Sequence, residues 1–114
     1  MTMTRAERNR QWRIDNPERR REINLEAAQR VRARNRALIV AAKSVPCVDC
    51  GGVFHTECMD FDHRDGESKK RGVGLMTDVS EAMLLAEMAK CDVVCANCHR
   101  FRTYSRRSTA SAEL

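Results

Sequence analysis

Apolar positions are thin over the first third of the chain. Ile23, Ala27, Val31 and Leu38 make a sparse stripe at helical spacing within residues 5–43, and Arg19, Arg20, Arg30, Arg32, Arg34 and Arg36 cover much of the rest. The pattern predicts a long helix that buries little, anchors weakly and orders on a partner. Asn16-Pro17-Glu18 predicts a break in it: Asn16 caps, Pro17 suits the first helical position and Glu18 complements the dipole end. Pro46 ends the helix. Val53 to Asp62 alternates unevenly and predicts one or two short strands ending at Asp62-His63, followed by a polar loop from Arg64 to Gly74. Asp78-Val79-Ser80-Glu81 has the spacing of a capping box. It predicts a helix to about Lys90 in which Val79, Met83 and Ala86, with Leu85 and Met88, make the apolar contacts. Asp92-Val93-Val94 reads as a short strand, residues 98–106 as a final basic helix, and Ser108–Leu114 as a disordered tail.

A chain of 114 residues with 4% aromatic content holds one small domain plus at most an arm. So small a core calls for a staple, either disulfides or a metal. The N-terminus turns charged at once and lacks the apolar stretch of a secretion signal, and no run approaches the length of a membrane span. The expectation is therefore a cytoplasmic protein with no membrane partner, whose thiols stay reduced and bind metal. Charge is uneven: residues 1–44 hold 12 Lys/Arg against 5 Asp/Glu, and residues 45–114 hold 9 against 11. A basic arm on a near-neutral domain is the footprint of a polyanion-binding protein, and arginine, 11 of those 12, suits phosphate. Arg19, Arg20, Arg30 and Arg34 on the arm, with Lys69, Lys70, Arg100 and Arg102 further on, are the candidate nucleic-acid contacts.

Two C-x-x-C pairs, Cys47/Cys50 and Cys95/Cys98, supply four soft ligands for a closed structural zinc site. The 44 residues between them exceed a minimal zinc ribbon, so further structure folds inside that loop. Cys58 and Cys91 fall outside the pattern and read as small buried hydrophobes. Cys95-Ala96-Asn97-Cys98-His99 also matches a haem-attachment string, but that reading requires an oxidising compartment and leaves Cys47 and Cys50 unexplained.

Asp62, His63 and His99 are left for chemistry. One carboxylate and one imidazole suit a divalent cation with positions open for water and a phosphate oxygen, and a second imidazole suits proton abstraction from water. Taken together, Cys47-x-x-Cys50, Phe61-Asp62-His63, the run Cys91 to Arg100 and Thr103 resemble the HNH endonucleases, especially the small zinc-stapled forms of bacteriophages and bacteria. The resemblance covers about residues 45–104.

It implies an α+β fold: a ββα-metal domain at 45–107, stapled by the four cysteines, behind a basic helical arm at 1–44 and ahead of a tail at 108–114. It further implies His63 as general base, and Asp62 and His99 as ligands of a catalytic Mg²⁺, Mn²⁺, Ni²⁺ or Zn²⁺. The implied substrate is DNA, double-stranded, cut to 5′-phosphate and 3′-hydroxyl ends in a bacterial or infected host cell, alongside phage or host DNA-processing proteins. The family's middle Asn, which orients the base, has no counterpart near Lys90-Cys91. Asn97 is the only Asn between His63 and His99; either it takes that catalytic place or it makes a local loop hydrogen bond, with backbone carbonyls or Asp92 as other candidates to orient His63. Two other functions compete: a non-catalytic zinc-containing nucleic-acid-binding module, which has no use for Asp62, His63 and His99, and a protein-binding adaptor, which the arm's charge disfavours.

Overall fold

The computed structural model describes residues 2–64 and 68–112, with side chains through 108. In chain order the elements are α1 (Arg5–Asp15), α2 (Pro17–Lys43), β1 (Met59–His63), α3 (Glu81–Met88), β2 (Cys91–Cys95) and α4 (Ala96–Ala112). Two single 3₁₀ turns, Thr56–Cys58 and Val73–Leu75, lie between them. Part of the expected polar loop, residues 65–67, lies outside the described residues, as do the last two residues of the expected tail.

The helix termini follow local chemistry, with two differences from expectation. Thr4 opens α1 through a reciprocal cap: its hydroxyl accepts from the Glu7 N–H at 3.1 Å, and Glu7 accepts from the Thr4 N–H at 2.7 Å. Asn16 does not cap α2 with its side chain; its amide donates to the Trp12 carbonyl at 2.8 Å and so closes α1, while Pro17 starts α2. Ser80, not Asp78, caps α3, accepting from the Met83 N–H at 3.2 Å. Asp78 instead faces Arg71 at 3.2 Å. The end of the chain also differs: α4 runs on to Ala112, past the expected tail start at Ser108, since no Gly or Pro after Cys98 stops it.

The arm is not separate from the domain. Ile39 of α2 joins Val73, Met76, Leu84 and Cys91 in one buried cluster, flanked by Leu38, Phe61, Val79 and Met88. At the centre of this docking is Asn35, fully buried. Its amide donates to the carbonyls of Thr77 at 3.0 Å and Val79 at 2.8 Å, and its oxygen accepts from the Arg34 guanidinium at 3.0 Å. A polar residue therefore occupies the turn between Val31 and Ile39 that an apolar stripe would fill, which is why the pattern understated the anchoring. The boundary expected at 44/45 shifts accordingly: the last turns of α2 belong to the domain, while Ile14, Ile23 and Leu25 stay exposed on a body 75 Å long. In α3 the buried residues are Leu84 and Glu87, with Met83 and Leu85 exposed. Three successive apolar residues on an eight-residue helix gave periodicity no means to choose among them.

A second cluster, Cys47, Met59, Val94 and Cys95, gathers at the end of the two-stranded sheet where Met59 pairs with Cys95. Val53 to Asp62 yields one strand, and β1 pairs antiparallel with β2 from Met59↔Cys95 to His63↔Cys91. Cys91 is buried as expected; Cys58 is exposed, a correction that follows from its place on a surface turn. No helix among the described residues is long and apolar enough to cross a membrane.

Replacing Asn35 by Ala removes the amide that bonds the part-buried carbonyls of Thr77 and Val79, of which only Val79 keeps a donor, in Arg34. A loss of about 2–3 kcal/mol is expected, read from urea unfolding followed by circular dichroism. A change within about 0.5 kcal/mol, the range of ordinary surface substitutions, would refute the docking role.

Candidate metal and catalytic centres

The first centre is built from both ends of the sheet. Cys47 and Cys50 sit on a turn closed by Gly51 N–H to Cys47 carbonyl and Cys47 N–H to Gly52 carbonyl, both 2.9 Å. Gly51 adopts a φ of 73°, where a Cβ is strained, so glycine permits the turn. The Val48 N–H bonds the Val93 carbonyl at 3.1 Å and fastens this turn to β2, which delivers Cys95, and the first turn of α4 delivers Cys98. All four sulfurs lie within 4.8 Å of one another. Ligand sulfurs around a tetrahedral zinc are about 3.8 Å apart, given Zn–S bonds of about 2.3 Å, so the set fits such an ion.

Backbone donors already favour thiolates at this centre. The Cys95 N–H points at the Cys47 sulfur at 3.3 Å, and the Cys98 N–H at that of Cys95 at 3.4 Å. Burial raises the Cys47 thiol, but backbone donors from Cys50, Cys95 and Asp49 outweigh it and bring it to about 6. Cys98, which hydrogen-bonds Cys95 and is itself desolvated, is pushed up to about 12. Four thiolates cannot share this space without a cation to hold them. Cys91, by contrast, is raised to about 11 by burial and the nearby Glu87 charge, and behaves as an inert apolar side chain.

The second centre lies on the sheet face that meets α4. Strand alternation puts Asp60 and Asp62 on that face, and the pairing Asp62↔Asp92 puts Asp92 there too. His99 reaches both strand carboxylates: Nδ1 is 3.0 Å from Asp60 and Nε2 is 3.6 Å from Asp62. Asp62 is buried, which on its own raises a carboxyl, but Arg106 and Arg102 prevail and hold it below the usual range. Arg106 grips both its oxygens at 2.9 and 3.0 Å. Arg102 donates to Asp62 at 2.9 Å, Asp92 at 3.1 Å and both oxygens of Asp49 at 2.6 Å.

His63 points the other way. It shares its face with Met59 and Phe61, towards α3, where its Nε2 is 3.1 Å from Glu87. The residue that orients His63 is thus Glu87, and neither of the two side chains expected for that part takes it. Asp92 is on the opposite face, bound to Arg102 and Arg64, and Asn97 is exposed on the first turn of α4.

Of the other expected site residues, the structure brings Asp62 and His99 together and gathers all four cysteines. Arg102 is spent on three carboxylates, which takes it out of the set facing phosphate. Arg34 is turned to Asn35 and the Val79 carbonyl, and Arg19 pairs with Glu22 at 2.9 Å on the surface. Arg20, Arg30, Lys69, Lys70 and Arg100 are exposed. Asp60, Glu87 and Arg106 escaped the sequence reading. Asp60-x-Asp62 at strand spacing was a legible signal for the first, whereas Glu87 looks like half of a surface Glu-x-x-Lys pair. A groove of about 570 Å³ beside the second centre is lined by Asp60, His99, Arg100, Thr103, Tyr104 and Arg107, among others. Comparison with protein-family models, with curated proteins and with solved structures finds no match to the chain.

Metal content and stability should be linked. One zinc per chain is expected by elemental analysis. Complete chelation should abolish the cooperative thermal transition, because the small cluster of Cys47, Met59, Val94 and Cys95 is built on the ligands themselves. A transition that persists unchanged in zinc-free protein would overturn the structural role.

Acid should act through Glu87. The Lys90 ammonium, opposed by burial but aided by the Lys70 N–H and His63, lowers this carboxyl from its ordinary 4.5 to about 2. Above pH 4.5 it is ionised in both states and its stabilisation is fully present. As pH falls from 4.5 towards 2, the unfolded chain binds a proton that the native state refuses, so the stabilisation is lost. Melting temperature should fall more steeply across that window in wild type than in Glu87→Gln, any acid release of metal being common to both. Parallel curves would rule out this role for Glu87.

Proposed function

We propose that the chain is a metal-dependent endonuclease of the HNH type that hydrolyses DNA, with a structural zinc at Cys47, Cys50, Cys95 and Cys98. The observation that carries this reading is the β1–β2–α4 unit. It sets a strand carboxylate, Asp62, against a helix imidazole, His99, at 3.6 Å, and the same unit supplies Cys95 and Cys98 to the four-cysteine cluster.

Asp62 and His99 have the donor types of a divalent-ion site. Asp60 on the far nitrogen of His99 is the kind of outer partner that aims a histidine at a metal. The guanidinium of Arg106 stands where the charge of an ion would go; its side chain is 40% exposed, against 20% for Arg102, which Asp49 and Asp92 hold as well. A bound divalent ion supplies charge stabilisation at the phosphate and at the leaving 3′ oxygen. His63 takes the proton from a water molecule, and the water oxygen bonds to phosphorus. The 3′ oxygen leaves with the electron pair of the broken P–O bond and takes a proton from solvent, giving 5′-phosphate and 3′-hydroxyl ends. Arg20, Arg30 and Arg100, with Arg107 and the exposed Phe101 and Tyr104 of α4, form the surface offered to nucleic acid. Work on DNA suits a cytoplasmic protein acting beside phage or host DNA-processing partners.

A second reading, a non-catalytic zinc-containing nucleic-acid-binding module, is favoured by two observations. Both oxygens of Asp62 are held by arginine, and His63 lies on the opposite face of β1. One experiment separates the two. Zinc-loaded protein is incubated with plasmid DNA under Mg²⁺, Mn²⁺, Ni²⁺ or EDTA. Cutting is expected with a divalent ion, with a loss of about 10²–10⁴-fold in His63→Ala and no loss of zinc or DNA affinity. Asp62→Ala and His99→Ala should lose cutting but recover part of it at raised ion concentration. Arg106→Gln should lower the ion concentration for half-maximal rate. DNA binding without cutting under every ion would leave the binding module as the function.

A further inference from the structure

We infer that Glu87 is a positioning residue that fixes the His63 imidazole with Nε2 protonated and Nδ1 left as the proton acceptor, an inference that rests on the nuclease reading above. The argument is one of donor and acceptor accounting. The Glu87 side chain is 2% exposed and that of His63 12%, so bulk water contributes little to either. Lys90 donates to Oε1 at 2.9 Å, and the Lys70 N–H donates to Oε2 at 3.1 Å. His63 Nε2 sits on that same Oε2 at 3.1 Å. Lys90 is in turn held by the Ser68 carbonyl at 2.8 Å, which keeps its charge directed at the carboxylate.

Surrounded in this way, Glu87 is ionised throughout the neutral range, and an ionised carboxylate can only accept. The nitrogen facing it must carry the hydrogen. A neutral imidazole has one N–H, so the lone pair is on Nδ1, the nitrogen turned away from Glu87. The same carboxylate stabilises the imidazolium once the ring has taken a proton from water. Because the pair itself is shielded from solvent, the hydrogen bond is stronger than a surface one and holds the ring in one orientation. A carboxylate thereby does on α3 what no side chain near Lys90-Cys91 is placed to do. The competing account is that Glu87 serves only to neutralise Lys90 and tie down the 68–70 segment. It predicts an effect on stability that is indifferent to His63.

Nitrogen NMR of full-length zinc-loaded protein labelled with ¹⁵N, at a pH where the ring is neutral, reads the tautomer directly. Protonated Nε2 with bare Nδ1 is expected; a His63 ring protonated at Nδ1 overturns the proposal without any variant. Kinetics then test the consequence. Glu87→Gln should lower kcat by about 10–100-fold, less than the about 10²–10⁴-fold lost with His63→Ala, and leave KM within about twofold. In the His63→Ala background the same change should cost nothing further, because there is no imidazole left to position. An equal loss in both backgrounds, or none in wild type, overturns the proposal. Should the variant melt below assay temperature, the tautomer measurement on wild type decides. Should wild type cut nothing, the nuclease reading falls, while the tautomer still reports whether Glu87 holds His63.

Discussion

Pairing of β1 with β2 governs where each chemically active side chain goes. The register runs from Met59↔Cys95 to His63↔Cys91, and side chains alternate faces along each strand. Asp60, Asp62 and Asp92 are thereby committed to the face under α4, and Met59, Phe61 and His63 to the face under α2 and α3. A slip of one residue would exchange the two sets, placing Asp62 in the apolar cluster of Leu84 and Met76 and His63 among arginines. The four-cysteine cluster is carried by β2 and α4, with the Cys47 turn fastened to β2 through the Val48 N–H and the Val93 carbonyl.

Among the described residues two carboxylates, Asp62 and Glu87, are buried and ionised, and each is matched by cations from elsewhere in the chain. Asp62 draws on Arg102 and Arg106 of α4, forty or more positions away, and Glu87 draws on Lys90, the Lys70 backbone and His63. Buried charges seldom add net stability, since desolvation offsets most of the attraction. What they do supply is orientation: each network admits one arrangement of its imidazole. His99 is held by Asp60 through Nδ1 and presents Nε2 to Asp62, whereas His63 is held by Glu87 through Nε2. The two histidines thus meet their carboxylates differently, His99 through both ring nitrogens and His63 through Nε2.

The core that carries these networks is modest, two clusters of five and four buried residues, each including cysteine. Stability therefore leans on the four-cysteine cluster at one end and on the docking of α2 through Asn35 and Ile39 at the other. The basic arm is consequently a rigid extension of the domain at its C-terminal turns and an exposed rod beyond them. The continuous helix holds the exposed Arg20 and Arg30 at a set distance from the sheet.

Much of this was legible in one dimension because the signals are local. C-x-x-C spacing, a Pro at a helix start, and an Asp-His step before a polar loop each depend on a few neighbouring residues. They placed α1, α2 and the two strands, and named the four cysteines as a set that converges; the pairing of Asp62 with His99 came from the family resemblance, and His63, singled out with them, faces away towards Glu87. What sequence left open involves pairings across the fold. Asn35 reads as a polar interruption until Thr77 and Val79 are brought to it. Arg102 reads as a phosphate contact until Asp49, Asp62 and Asp92 surround it, and Glu87 reads as a surface charge until α3 turns it inward onto His63. Local pattern determines which way a side chain leaves its own backbone. Which group waits there is decided by elements remote in sequence, because a buried charge or amide is satisfied only by the donors and acceptors that folding brings to it.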